Sequence, residues 1–184
     1  NEERKLISSD YNIRQLETQK ALTDLQGKYK IQYLCDIPQD DTEKYLKSIE
    51  NKTNRKRAQH VIEEQFRVVN ARKSLASKNL AQLGQILTES HHSLQTLFEV
   101  STDNLNLLVN LAIKQEPVLG ARLTGAGFGG SIILLVDKNY SKKVIERITK
   151  EYTIKTGLNA EALVLNHNDL PNENKLITTE KIIG

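Results

Sequence analysis

The chain of 184 residues contains no methionine, one cysteine and three prolines. A single thiol, Cys35, excludes an internal disulfide and suits a reducing compartment. With no metal-ligand partner in the sequence, Cys35 is expected to be a small buried residue, and no His, Cys or carboxylate set has the spacing of a structural zinc site. No apolar run approaches the ~20 residues of a membrane span, and no secretory apolar region opens the chain. The expected setting is therefore soluble and cytoplasmic, without a membrane partner. Charge of one sign is not in large excess either, with 26 basic against 23 acidic residues. Such a balance gives no reason to expect nucleic acid, and the Lys52 to Arg57 cluster reads as the solvated start of a helix. The missing methionine and the Asn at position 1 fit a start inside a longer protein.

Glycine is scarce as well, and its distribution is uneven. Five of the nine glycines fall in Gly120-Ala-Arg-Leu-Thr-Gly-Ala-Gly-Phe-Gly-Gly130, which runs into the apolar Ser131-Ile-Ile-Leu-Leu-Val136. Glycine tolerates positive φ and lets another backbone or a ligand approach closely, at an entropic cost. Two readings follow from the spacing. One is a tight hairpin between two buried strands. The other is a loop whose amides help shape an anion or nucleotide site.

The first two-thirds of the chain read as helices. Ser8 to Leu25 is rich in helix formers, with Ser8 or Ser9 as N-cap and Gly27 as stop. Tyr29 to Asp41 is irregular around Pro38, and Asp41 or Thr42 caps a short helix through Ile49. From Asn54 to Ala76, Ala58, Val61, Ile62, Phe66, Val69 and Leu75 recur at helical spacing. Leu80, Leu83, Leu87, Leu94 and Phe98 form a second stripe, joined to the first by a break at Ser77 to Asn79 that permits only an antiparallel or sharply angled pair. A third helix starts at Ser101, with Val100 and Leu105 placed as a hydrophobic staple around a Ser N-cap. After Pro117 the period becomes extended: strands at Leu119 to Thr124 and Ser131 to Asp137, a helix from Ser141 to Thr156 ended by Gly157, and a third strand at Glu161 to Asn166.

The wording of the glycine segment resembles the third signature motif of the GHMP small-molecule kinases, in the form used by galactokinases. Three further blocks stand in that family's order. Ser9-Asp-Tyr-Asn-Ile-Arg14 resembles its Ser-Xaa-Tyr-Asn-Xaa-Arg. Arg57-Ala-Gln-His-Val-Ile-Glu-Glu64 resembles its Arg-Xaa-Xaa-His-Val-Xaa-Xaa-Glu helix. Glu89-Ser-His-His-Ser-Leu94 with Phe98-Glu-Val-Ser101 resembles its Glu-Ser-His-Xaa-Ser-Leu and Tyr-Glu-Val-Ser pair. The family's sugar segment, Gly-Arg-Xaa-Asn-Xaa-Ile-Gly-Glu-His, and its phosphate loop, Pro-Xaa-Gly-Xaa-Gly-Leu-Ser-Ser-Ser, do not occur.

The resemblance implies an α+β fold, with a ferredoxin-like split βαβ sheet and several packed helices. Residues 1–184 are then one C-terminal domain, helical over about 8–115 and strand-rich over about 117–184, with the N-terminal catalytic half absent. The missing partner strand is expected upstream of Asn1, unless the Lys175 to Ile183 tail fills the edge. The implied activity is transfer of the γ-phosphoryl group of ATP to the anomeric hydroxyl of galactose with magnesium. ATP and Mg2+ are then bound mainly by the absent half, which becomes a partner alongside galactose and ATP. N-acetylgalactosamine kinase, or a non-catalytic galactokinase-like regulator, is the alternative.

By resemblance, Gly125, Gly127, Phe128, Gly129 and Gly130 form the nucleotide loop at the domain cleft. Ala126 stands where many galactokinases have a third consecutive glycine, which an alanine can replace only where positive φ is not needed. Tyr11 is implied as the sugar contact, its ring packing on an apolar wall while the hydroxyl reads one position of the hexose. No catalytic or metal residue is expected in this chain. The histidines agree with that: His91 and His92 point about 100° apart on a helix, His60 reads as a hydrogen-bonded core residue, and His167 lies in a polar stretch.

Overall fold

The structure, a computed structural model, describes residues 7–165. Helix α1, Ile7–Gln26, leads through two short 3-10 turns into α2, Thr42–Lys47, and the long α3, Lys52–Ala76. Helix α4, Leu80–Ser93, returns along α3 and runs into a π-helical turn, Leu94–Phe98. Then come α5, Asp103–Ile113, the strands β1, Val118–Thr124, and β2, Ser131–Val136, and finally α6, Ser141–Thr156. This is the mixed α+β arrangement expected, with a two-stranded antiparallel sheet among the described residues.

Three apolar clusters hold these elements. Ala21 and Leu25 of α1 meet Ala58 and Ile62 of α3 over Leu34, Ile37 and Ile49, all buried. Val109 and Ala112 of α5 meet Ala121 of β1 and Val144, Ile148 and Tyr152 of α6. The third cluster, Leu94, Val100, Leu105 and Leu123 with Phe98 and Phe128 packed against it, lies under the glycine segment. Fully burying one such side chain contributes about 1.5–3 kcal/mol.

Helix α4 crosses β1 at a pair of glycines. A Cβ on Gly84 would stand 2.1 Å from the Leu119 carbonyl oxygen, and one on Gly120 would stand 1.9 Å from the Gly84 carbonyl oxygen. Neither distance is sterically possible, so backbone lies on backbone. Gly120, counted in sequence with the loop, is thus needed for helix–strand packing. The ladder is irregular next to it, between Val118 and Gly120.

Several local expectations are corrected. The helix already includes Ile7, so Ser8 and Ser9 do not begin it. Helix α2 ends at Lys47, and Ile49 beyond it is buried in the first cluster instead. Helix α3 starts two residues earlier than expected because Asn51 caps it, accepting from the Asn54 N–H at 3.0 Å. At its far end Val69 and Leu75 are exposed, as is Leu80 of α4. There the inward position belongs to Ser74, whose hydroxyl donates to the Asn70 carbonyl and pairs with Gln82. Thr102, not Ser101, caps α5 by accepting from the Leu105 N–H, which moves Val100 outside the staple position although both apolar residues join one cluster.

Cys35 is exposed, because Leu34 and Ile37 take the buried positions around its turn. Partial desolvation and the adjacent Asp36 carboxylate raise its thiol pKa, which keeps it protonated and unreactive. Among the described residues no third strand forms over 161–165, and Leu163 and Leu165 stand exposed. Asn166, His167 and the Lys175 to Ile183 tail lie outside the described residues.

Candidate functional site

Arg57, His60 and Glu64 recur at spacings of three and four on α3, so they share one face. That face meets the end of α4 and the turn that follows. Glu64 accepts from the Ser90 hydroxyl at 2.6 Å, from Arg67 Nε at 2.7 Å and from Arg122 Nη1 of β1 at 3.0 Å. His60 Nδ1 lies 2.8 Å from Ser93 Oγ, and its ring stacks on Phe98 with centroids 4.5 Å apart. Arg57, read in sequence as part of a solvated cluster, is 2% exposed. It donates to Glu17 of α1 at 2.7 Å, to Glu99 at 2.7 Å and to the Leu97 carbonyl. His91 Nδ1 accepts from the Leu123 N–H at 3.2 Å, so its proton sits on Nε2. All four sequence blocks contribute to one contiguous region.

The electrostatics of that region are settled by pairing. Burial raises the Glu64 carboxyl pKa, but the Ser90 hydroxyl, Arg67 and Arg122 outweigh it and bring the net value below the ordinary range. Lys56 and Arg57 hold Glu99 at about 2. Burial drives His60 down to about 4, opposed by Glu64 and reinforced by Arg67, Arg122 and Arg57. His91 is lowered as well, by burial first. At neutral pH the histidines are neutral and the carboxylates charged, each carboxylate already committed to a cation.

The glycine loop spans the hairpin between β1 and β2. Gly125 (φ 83°), Gly127 (83°), Phe128 (58°), Gly129 (121°) and Gly130 (96°) all lie at positive φ, whereas Ala126 does not. The alanine therefore occupies the one place in the run where a Cβ carries no conformational cost. Within the run Phe128 carries a side chain at positive φ, and two contacts hold it there. Its N–H donates to the Val100 carbonyl at 2.7 Å, and its ring packs on the third cluster. A Cβ on Gly127 would stand 2.3 Å from the Val100 carbonyl oxygen. The loop is thus anchored on its inner side by Val100.

Tyr11 lies on α1, half exposed at 52%. Its helix reaches the segment that carries the loop through Arg14, one turn further on, which donates to the Phe98 carbonyl at 2.7 Å.

Residues 71–154 match the family described as GHMP kinases C terminal. Galactokinase from Bacillus subtilis is 38% identical over 164 residues, covering 89% of this chain and 42% of that protein. Galactokinase from Staphylococcus saprophyticus is 41% identical over 157 residues, covering 85% and 41%. A crystal structure of Lactococcus lactis galactokinase complexed with galactose superposes with a TM-score of 0.83 at 36% identity, covering 86% of this chain and 41% of that one. The chain is therefore similar to galactokinases over most of its own length and to the C-terminal part of GHMP kinases over residues 71–154. It spans about two fifths of the length of the curated relatives it matches.

The glycine loop is the segment expected to meet a nucleotide, and exposed backbone amides are the feature such a role would use. Its glycines open a stretch of backbone that side chains would otherwise fill, although the Phe128 amide is already spent on Val100. Among the described residues no group of three or more His, Cys, Asp or Glu side chains could hold a metal ion. Among them, too, no helix is long and apolar enough to cross a membrane.

Sequence reasoning missed Arg14 and Glu17. Arg14 stands inside the Ser9 to Arg14 block, and its spacing of three from Tyr11, on neighbouring positions of one helix, was the available signal. Glu17 carried no signal, since only the fold brings it to Arg57.

Proposed function

We propose that this chain is the C-terminal part of a galactokinase, which moves the γ-phosphoryl group of ATP to the anomeric hydroxyl of galactose. The bond from the γ-phosphorus to the β–γ bridging oxygen breaks, a bond to the sugar oxygen forms, ADP leaves, and the hydroxyl proton passes to a base. The observation that carries the reading is the convergence of the four blocks: α1 with Tyr11, the Arg57 to Glu64 face, the Ser90 to Val100 segment and the glycine loop form one connected region. In this reading Tyr11 contacts galactose, and Gly125, Gly127, Phe128, Gly129 and Gly130 form the nucleotide loop, with Phe128 anchoring it. The loop closes over ATP from one side.

The base, the magnesium ligands and most of the phosphate contacts belong to an N-terminal half that acts as the partner of this chain. Phosphoryl transfer depends on positioning and charge stabilisation. In this chain Glu17, Glu64 and Glu99 are all held in ion pairs, which argues against assigning them to a metal or a proton. The enzyme is then soluble and cytoplasmic, a setting that the lone cysteine of this chain suits.

Galactose-dependent ADP release with Mg-ATP tests the proposal on the full-length protein and on the 184-residue chain alone. The full-length protein is expected to turn over galactose and the chain alone to be inactive. Turnover by the chain alone would relocate the chemistry to these residues. Turnover of N-acetylgalactosamine in place of galactose would change the sugar, and turnover of neither would make the protein a binder.

A further inference from the structure

We infer that Arg14 is a positioning residue that couples the sugar side of the site to its nucleotide side; the inference rests on the galactokinase reading. Arg14 is mostly buried, with a side chain 16% exposed. Its Nε donates to the Phe98 carbonyl at 2.7 Å and its Nη2 to the Glu99 carbonyl at 3.1 Å. Nη1 pairs with Glu17 at 3.2 Å, and the guanidinium carbon lies 5.9 Å from the centroid of the Phe128 ring. Two successive main-chain carbonyls and an aromatic ring of the glycine loop are therefore read by one side chain.

The segment it grips is a bracket with two ends. Arg14 fixes Phe98 and Glu99 on the side of α1. The next residue, Val100, fixes the loop through its carbonyl to the Phe128 N–H and through its contact with Gly127. Both Glu99 (φ 57°) and Phe128 (φ 58°) hold left-handed backbone. That conformation is unfavourable for a non-glycine residue and persists only where its surroundings over-determine it. The π-helical turn that leads into Glu99 is another unusual backbone element at the same place. A shift of α1 at Tyr11 would reach the loop through Arg14 and then the 98–100 bracket, each step a hydrogen bond or packing contact. Arginine suits this because its planar fork spans two carbonyls and stacks on a ring, which a lysine ammonium cannot do together.

The test measures galactose affinity by calorimetry on the full-length protein, with and without a non-hydrolysable ATP analogue and magnesium. Wild type is expected to bind galactose more tightly when the analogue is present, by a factor in the usual range of about 5–150. In Arg14→Gln that factor is expected to fall toward one while galactose and the analogue still bind singly. Arg14→Lys restores the charge and the melting temperature without the coupling, which separates positioning from support of the fold. If Arg14→Gln does not fold, Arg14→Lys decides alone. A coupling factor unchanged in a folded Arg14 variant, or absent from wild type, overturns the inference and leaves the galactokinase reading intact. Failure of wild type to bind galactose at all sinks that reading and this inference with it.

Discussion

Acidification should weaken the protein at a pH where its carboxylates are still charged, because of one histidine. His60 is 6% exposed and enclosed by Ser93 of α4, Phe98 of the following turn, Arg57, Glu64 and Arg67 of its own helix, and Arg122 of β1. Burial, with the three arginines, brings its pKa from 6.5 to about 4. Between those values the unfolded chain takes up a proton that the folded protein refuses. Stability therefore rises with pH across this window: the full contribution is present above 6.5 and is lost as pH falls toward 4. The difference, 6.5 − 4, is 2.5 units, which at about 1.36 kcal/mol per unit amounts to about 3 kcal/mol. Typical domain stability is about 5–15 kcal/mol, so the loss is large. His91 is lowered in the same direction and steepens the slope. Glu64 and Glu99 are both lowered from 4.5, so their contributions go only at more acid pH. Urea unfolding between pH 7.5 and 4.5 measures the slope for wild type and for His60→Gln, which can keep a bond to Ser93 and does not titrate. The variant should start less stable and lose less on acidification. Parallel slopes would refute the reasoning.

Tyr11→Phe in the full-length protein removes one hydroxyl and leaves the ring. Loss of a hydrogen bond to an uncharged sugar group costs about 0.5–1.5 kcal/mol, or roughly 2–13-fold in affinity. Kinetics should place that loss on galactose and spare ATP, and an unchanged galactose response with an intact fold removes Tyr11 from the site. Within the loop, Gly127→Ala should lower the melting temperature strongly, since its Cβ strikes the Val100 carbonyl. Gly125→Ala, at an exposed position, should carry only the left-handed backbone cost of about 1–2 kcal/mol, and should raise the Michaelis constant for ATP. Equal melting shifts in the two variants would show that the inner anchor does not hold the loop.

Much of the helical frame was legible because amphipathic spacing reports burial against a neighbour. Ala58, Val61, Ile62 and Phe66 pack as their period requires. The pattern misled where the chain ran past its neighbours, since apolar spacing at Val69, Leu75 and Leu80 says nothing about whether a partner is there to cover them. Capping was read to within a residue or two, because Thr102 and Ser101 offer the same hydroxyl and only the backbone course chooses between them. Gly157, by contrast, ends α6 where expected, in the left-handed conformation that its residue type favours. The third strand misled for another reason. A run such as Leu163-Val164-Leu165 has strand propensity, yet a strand exists only when another edge pairs with it.

The candidate site was legible as blocks and illegible as contacts. Arg57 looked solvated because its sequence neighbours are charged, and only the tertiary approach of Glu17 and Glu99 gives its charge partners and permits its burial. Arg57 is the buried member of both pairs while Glu99 is 41% exposed and partly screened by solvent, so the two carboxylates together hold α1, α3 and the turn in one register. The glycine loop shows why its two sequence readings were never exclusive. It is a hairpin between β1 and β2, and its inner residues Gly127 and Phe128 are committed to Val100. A loop fixed on its inner side in this way leaves Gly125 exposed and Gly130 half-buried, both in a set conformation. In the proposed function, anchoring the loop to its own domain is what would let Gly125 meet a nucleotide from the other side.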